Sequence, residues 1–141
     1  MTSLSLIQRL LFPCIGAAMV ALPTSALAQT DKSTPKPRVI QLNPSAVDSM
    51  DIFKGPPETV TMRSGYMVLA PSKSVGKHST RHNEEAIIVF AGTGEMKIVN
   101  GPTLKLMPYC VAYCPPNTQH DVTNTGKDTL RYIWLVANAK R

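Results

Sequence analysis

A chain of 141 residues, 43% of them hydrophobic, has room for one packed domain but not for two. Its formal net charge of +6 comes from scattered Lys and Arg residues, without the basic stripe or stacking motif that reads bases, which argues against a nucleic-acid partner. A Ser-His-Asp arrangement, a phosphate-cradling glycine loop and a dinucleotide fingerprint are also missing from the sequence, so chemistry of those classes is not expected.

The chain opens with what reads as a secretory leader. Arg9 supplies a positive start, Leu10 to Leu22 is uncharged and apolar, and Ala26-Leu27-Ala28 has the small-x-small form that signal peptidase cleaves. A signal peptide over residues 1–28 is therefore expected, with a secreted or periplasmic mature chain starting at Gln29. The apolar run is shorter than the roughly 20 residues that span a bilayer and is interrupted by Pro13 and Pro23, so no stable membrane insertion is expected after cleavage. Cys14 follows Pro13 rather than a small residue, unlike a lipoprotein signal. Losing Arg9 with the leader lowers the net charge of +6 by one. Residues 29–38 are polar apart from two prolines and read as a disordered tether, which leaves 39–141 as the folded domain.

Nothing after Val39 has the pattern of an amphipathic helix, although Asn43 to Phe53 admits one short helical turn behind an Asn or Ser cap. Strands are predicted at Thr59 to Arg63, Tyr66 to Ala70, Ala86 to Ala91, Glu95 to Val99, Leu104 to Met107, Cys110 to Cys114, Gln119 to Val122 and Leu130 to Ala137. Turn residues separate them, and Gly92-Thr93-Gly94 and Asn100-Gly101 are the best hairpin signals because they accept positive φ. Many short strands without helices imply an all-β sandwich or closed barrel. The apolar strand residues Met67, Phe90, Met96, Met107, Tyr132 and Trp134 are read as core, whereas the directions of Tyr113 and Arg131 stay open. Four steps along a strand separate Cys110 from Cys114 by roughly 13 Å, beyond the roughly 7 Å that a disulfide tolerates. If Tyr109 to Cys114 is a strand, the two cannot bridge each other.

The three histidines of the chain are His78, His82 and His120. A continuous strand over 78–82 would put His78, Thr80 and His82 on one face, with Glu84 and Glu85 directly following. His120 comes after the Pro115-Pro116-Asn117 turn and precedes Asp121, which should point outward if His120 points in. Two or three imidazoles with one carboxylate form a mixed nitrogen and oxygen set suited to a divalent transition metal: Fe, Mn, Ni, Zn or Cu.

These segments resemble the cupin superfamily, in particular small single-domain, type-2-like cupins. Gly76-Lys-His78-Ser-Thr80 followed by Glu85 and, seven residues on, Gly92 is similar to the first cupin motif. Pro115-Pro-Asn117-Thr-Gln-His120-Asp-Val-Thr-Asn124 is similar to the second. The likeness runs from about Met67 to Val136. It implies a conical, double-stranded β-helix jelly-roll barrel with a metal inside, held by His78, Glu85 and His120. Thr80 stands where the motif has its second histidine, so His82 is open to three roles: a fourth ligand, a hydrogen-bond partner behind the ligands, or an acid/base at the mouth. Ser72 and Tyr109 stand where the two motifs open with glycine, and Asn117 replaces the glycine of the proline turn. Asn tolerates positive φ best among non-glycine residues, so that turn should survive.

Two function classes follow. One is an exported, metal-dependent enzyme of dioxygenase or isomerase type, oxygenating, isomerising or hydrolysing a small organic molecule. The other is a non-catalytic module that binds a small ligand or a metal. A homodimer through the segment Val39 to Leu42 is compatible with either.

Overall fold

Alternation of inward and outward side chains builds most of the molecule. In Gln119–Asn124 the inward positions are His120, Val122 and Asn124, and in Asn83–Ala91 they are Glu85, Ile87 and Val89. The computed structural model describes residues 34–139, which lie within one compact unit, Asp31–Arg141. The expected leader lies outside the described residues. Nine strands follow in order: β1 (Met50–Lys54), β2 (Arg63–Leu69), β3 (His78–Ser79), β4 (Asn83–Ala91), β5 (Gly94–Ile98), β6 (Thr103–Leu106), β7 (Val111–Cys114), β8 (Gln119–Asn124) and β9 (Leu130–Asn138). They form two antiparallel sheets, one ordered β1-β2-β9-β4-β7 and the other β3-β8-β5-β6. The all-β reading therefore holds. No helix among the described residues is long and apolar enough to cross a membrane.

Between the sheets lies a core containing Ile87, Val89, Met96, Leu106, Val122, Leu130 and Tyr132, all at most 2% exposed. Burying each such aliphatic side chain stabilises the fold by about 1.5–3 kcal/mol. Asn124 is also fully buried, and its side chain is saturated: Nδ2 donates to the carbonyls of Leu69 and Asp128, while Oδ1 accepts from the Gly126 N–H. It fastens the β8–β9 turn to the end of β2.

Several local expectations are corrected. Residues 59–62 are not a strand: the chain turns at Gly55, whose carbonyl accepts from the N–H groups of Glu58 and Thr59, and β2 starts only at Arg63. The single turn expected after Asn43 is present, capped by Asn43 Oδ1 on the Ser45 N–H, but the segment then extends into β1. Phe90 and Met107 are 42% and 53% exposed rather than core. Cys110 and Cys114 are unpaired, as their spacing predicts.

Five non-glycine residues among those described occupy the left-handed region that glycine adopts freely, and three of them stand where the motifs have glycine: Ser72 (φ 63°), Tyr109 (φ 65°) and Asn117 (φ 58°). Left-handed backbone costs a non-glycine residue about 1–2 kcal/mol, partly offset by glycine's larger entropy loss on folding. Tyr109 is 91% exposed, so little packing compensates. Tyr109→Gly and Ser72→Gly should each stabilise the protein by about 0.5–1 kcal/mol, seen as a melting temperature a few degrees higher. An unchanged or lower midpoint would refute the strain.

Candidate functional site

Two rows of inward side chains, one on each sheet, meet at one end of the barrel. On the larger sheet the register places Arg63 opposite Val136, Val136 opposite Glu85, and Glu85 opposite Cys114, a single row across four strands. On the smaller sheet His78 lies opposite His120, and His120 opposite Ile98. The rows face each other, so that His120 Nε2 comes within 3.1 Å of Glu85 Oε2. The His78 and His120 rings approach at 4.4 Å between centroids with a 57° tilt. One ligating atom from each of His78, Glu85 and His120 fits within a mutual span of 4.8 Å.

His120 is 0% and Glu85 5% exposed, yet Glu85 Oε2 and His120 Nε2 each lack an aligned hydrogen-bond partner. Buried polar atoms left in this state are costly, and two of them aimed at one point are what a cation would satisfy. The tautomers agree with this. His120 Nδ1 faces the Thr118 carbonyl at 3.3 Å, and His78 Nδ1 faces the Gly76 carbonyl at 2.8 Å. Carbonyls only accept, so a proton on Nδ1 of each ring satisfies them, and in that tautomer Nε2 is free to present a lone pair to a metal. The donor set thus fits a divalent transition metal, which His78, Glu85 and His120 would hold.

The supporting layer behind the ligands includes Cys114 and Asp121. Cys114 Sγ sits 3.2 Å from His120 Nδ1, on the side of the ring away from Glu85, where it backs the imidazole instead of ligating beside it. Burial, then the neighbouring Glu85 charge, pushes its thiol up to about 11, so it is an unreactive packing group. Asp121 points outward as expected, but it also accepts from Ser74 Oγ and from the Gly76 N–H, fixing the loop that delivers His78.

His82 falls outside the three-residue group. The chain does not run extended from 78 to 82: β3 ends at Ser79, and the Asn83 N–H closes a turn onto the Thr80 carbonyl, with Arg81 at φ 55°. His82 occupies the exposed middle of that turn. Thr80 lines the cavity, its hydroxyl held by the Asn83 carbonyl. Glu84 and Tyr113 face away from the cavity and bond to each other, and Arg131 donates to the Ala46 carbonyl.

The ligand group opens into a cavity of about 340 Å³. Its walls are mostly apolar, from Met67, Val75, Val122, Tyr132, Trp134 and Val136, with Arg63 at the edge. Trp134 lies against the β2 backbone at Gly65, where a β-carbon would stand 2.6–2.7 Å from the indole. Burial, then Glu85 and Asp121, raises the Tyr132 phenol far enough that it stays neutral. The Glu85 carboxylate beside His120 raises the pKa of that imidazole above its ordinary value, although burial of the ring opposes this.

Comparison with known proteins supports the same fold. No curated protein matches the sequence. Among solved structures, the Schizosaccharomyces pombe Cnp3 cupin domain is similar at 19% identity and a TM-score of 0.57, over 64% of this chain and 63% of that one. The present chain spans 64% of a similar Bacillus halodurans structure, again less than two thirds. Coverage is fuller for a conserved Klebsiella pneumoniae protein with a double-stranded β-helix domain, at 18% identity, TM-score 0.60, and 74% and 93% of the two chains. An RmlC-like cupin family protein from Methanocaldococcus jannaschii is similar at 15% identity and TM-score 0.60, over 72% and 91%. Finally, the family Cupin_2, described as "Cupin domain", matches residues 65–136, and the chain belongs to this family.

Proposed function

We propose that this protein is an exported cupin that holds one divalent transition metal through His78, Glu85 and His120 and uses it on a small organic molecule bound in the adjoining cavity. The observation that carries the reading is that the buried atoms Glu85 Oε2 and His120 Nε2 have only each other, 3.1 Å apart and without an aligned hydrogen bond, within reach of the His78 ring. A metal bound there would supply Lewis acidity and, if iron, access to oxygen chemistry. The chain's own residues would hold and orient the substrate, exclude water with the apolar walls, and offer the neutral Tyr132 hydroxyl as a donor. A non-catalytic ligand-binding module is the second reading. It is favoured by the inertness of the Tyr132 phenol and the Cys114 thiol, neither of which is poised as a base. Oxygen uptake or product formation with a bound compound separates the two.

Metal analysis of the purified protein by plasma mass spectrometry should find about one transition metal per chain, as a single three-ligand site requires. His78→Ala, Glu85→Ala and His120→Ala should each lose most of it, while His82→Ala should keep it. Folded wild-type protein that stays empty after incubation with Fe(II), Mn, Ni, Zn and Cu would overturn the metal reading.

Proton and metal compete for His120. Its folded pKa is raised above the ordinary 6.5 by Glu85. In metal-free protein the protonated His120–Glu85 pair therefore stabilises the fold fully below that ordinary value and loses its contribution as pH rises through the raised one. Metal needs the neutral ring, so its affinity falls as pH drops through the same raised value. Chelator-treated protein should melt higher at pH 6 than at pH 8 relative to His120→Gln, and metal loading should reverse that order. Equal pH responses of wild type and variant would show that the pair does not form.

A further inference from the structure

Arg63 is the one cation bordering the cavity, and among the described residues its guanidinium has neither a hydrogen bond nor an ion pair. Its position is built. Gly55 passes close beneath the aliphatic stem, and a β-carbon there would stand 3.2 Å from Arg63 Cγ, so the bare backbone gives the side chain its seat. Across the β1–β2 pair Lys54 stands opposite, and two like charges facing each other on adjacent strands are unfavourable unless an anion lies between them. The acid nearest along the row is Glu85. Val136 and its strand intervene, which puts Glu85 two strand spacings, roughly 10 Å, from Arg63 at the backbone. Glu85 is committed to His120. The gap between Arg63 and Glu85 belongs to the cavity, and apolar and aromatic side chains wall it.

Arg63 puts a fixed positive charge at one end of the cavity, and the nearest carboxylate along its row is the buried Glu85, two strands away. A single planar guanidinium at the edge of a mostly apolar space suits a planar, singly charged anion with an apolar body, because its fork matches a carboxylate. The volume of about 340 Å³ lies at the low end of small-molecule pockets, typically about 300–1,000 Å³.

We infer that the cavity binds a small carboxylic acid with an aromatic or branched apolar body, its carboxylate on Arg63, its body against Trp134, Tyr132 and Met67, and its far end toward the His78–Glu85–His120 group. The inference rests on the reading of this cavity as a ligand pocket and names the class of its occupant. Arg63 is a specificity-determining residue rather than a metal ligand.

Trp134 is the only tryptophan of the chain and lines the cavity, so its emission reports occupancy directly. Phenylacetate, benzoate and 4-methylpentanoate are titrated at neutral pH against their amides, with chelator-treated and metal-loaded protein, for wild type, Arg63→Gln and Arg63→Lys. At least one acid should bind saturably and roughly ten- to a hundredfold more tightly than its amide, the preference expected of one charge-assisted bidentate pair. Arg63→Gln should abolish that preference by weakening the acid far more than the amide, and Arg63→Lys should keep part of it. Melting curves check that the variants remain folded, as an exposed side chain predicts. Equal affinity for acid and amide, an Arg63→Gln protein that still prefers the acid, or no binding by any acid would overturn the inference. A preference present only in metal-loaded protein would assign the carboxylate to the metal and overturn Arg63 alone. A preference for acids in a protein that takes up no metal would instead leave Arg63 standing and remove the metal reading.

Discussion

The approach of Glu85 to His120 is the constraint around which this barrel is arranged. The two residues come from different sheets, β4 and β8, and neither is accessible enough for water to compensate it. A carboxylate and an imidazole closed off in this way are tolerated only where a proton or a cation is shared between them. The surroundings maintain the meeting point. Cys114 and Thr118 hold the far side of the His120 ring, the Gly76 carbonyl orients His78, and Asp121 ties down the loop carrying Gly76. The apolar core below would close two sheets of many shapes, but it would not bring these three side chains to one point.

The fold was largely legible because its strands are short apolar runs, rich in β-branched and aromatic residues, set between turn residues. Ala86 to Ala91 and Leu130 to Ala137 are almost wholly apolar runs of this kind, too short and too β-branched to read as helices. β1 escaped because Met50–Lys54 lies at a sheet edge with its side chains exposed or half-buried, so nothing in MDIFK separates an inner from an outer face. The false strand at Thr59 to Arg63 had suitable residue types, but the turn at Gly55 takes up the chain there before pairing can begin.

The site was legible to a different depth for each residue. His78, Glu85 and His120 could be picked out by motif spacing, whereas the fate of His82 depended on whether the chain stayed extended past Ser79. Arg81 adopts a left-handed conformation and the direction reverses, a local event that no spacing rule registers. Arg63 was invisible as a site residue for a non-local reason. It acquires its place only through a row that crosses β2, β9 and β4, and that register is a property of three separated segments. Residues that act through register are the ones a single sequence conceals best.

The contact between Gly65 and Trp134 also bears on what the cavity admits. The indole lies flat because position 65 contributes no side chain, and even a methyl group there would meet the ring. With the β2 backbone behind it, the ring would have to yield toward the open side, which is the cavity. The bore of the pocket is thus governed from outside its lining, by the residue on which its largest wall rests. Homologues differing at this one position would then differ in the girth of the molecules they accept while keeping the same ligand group.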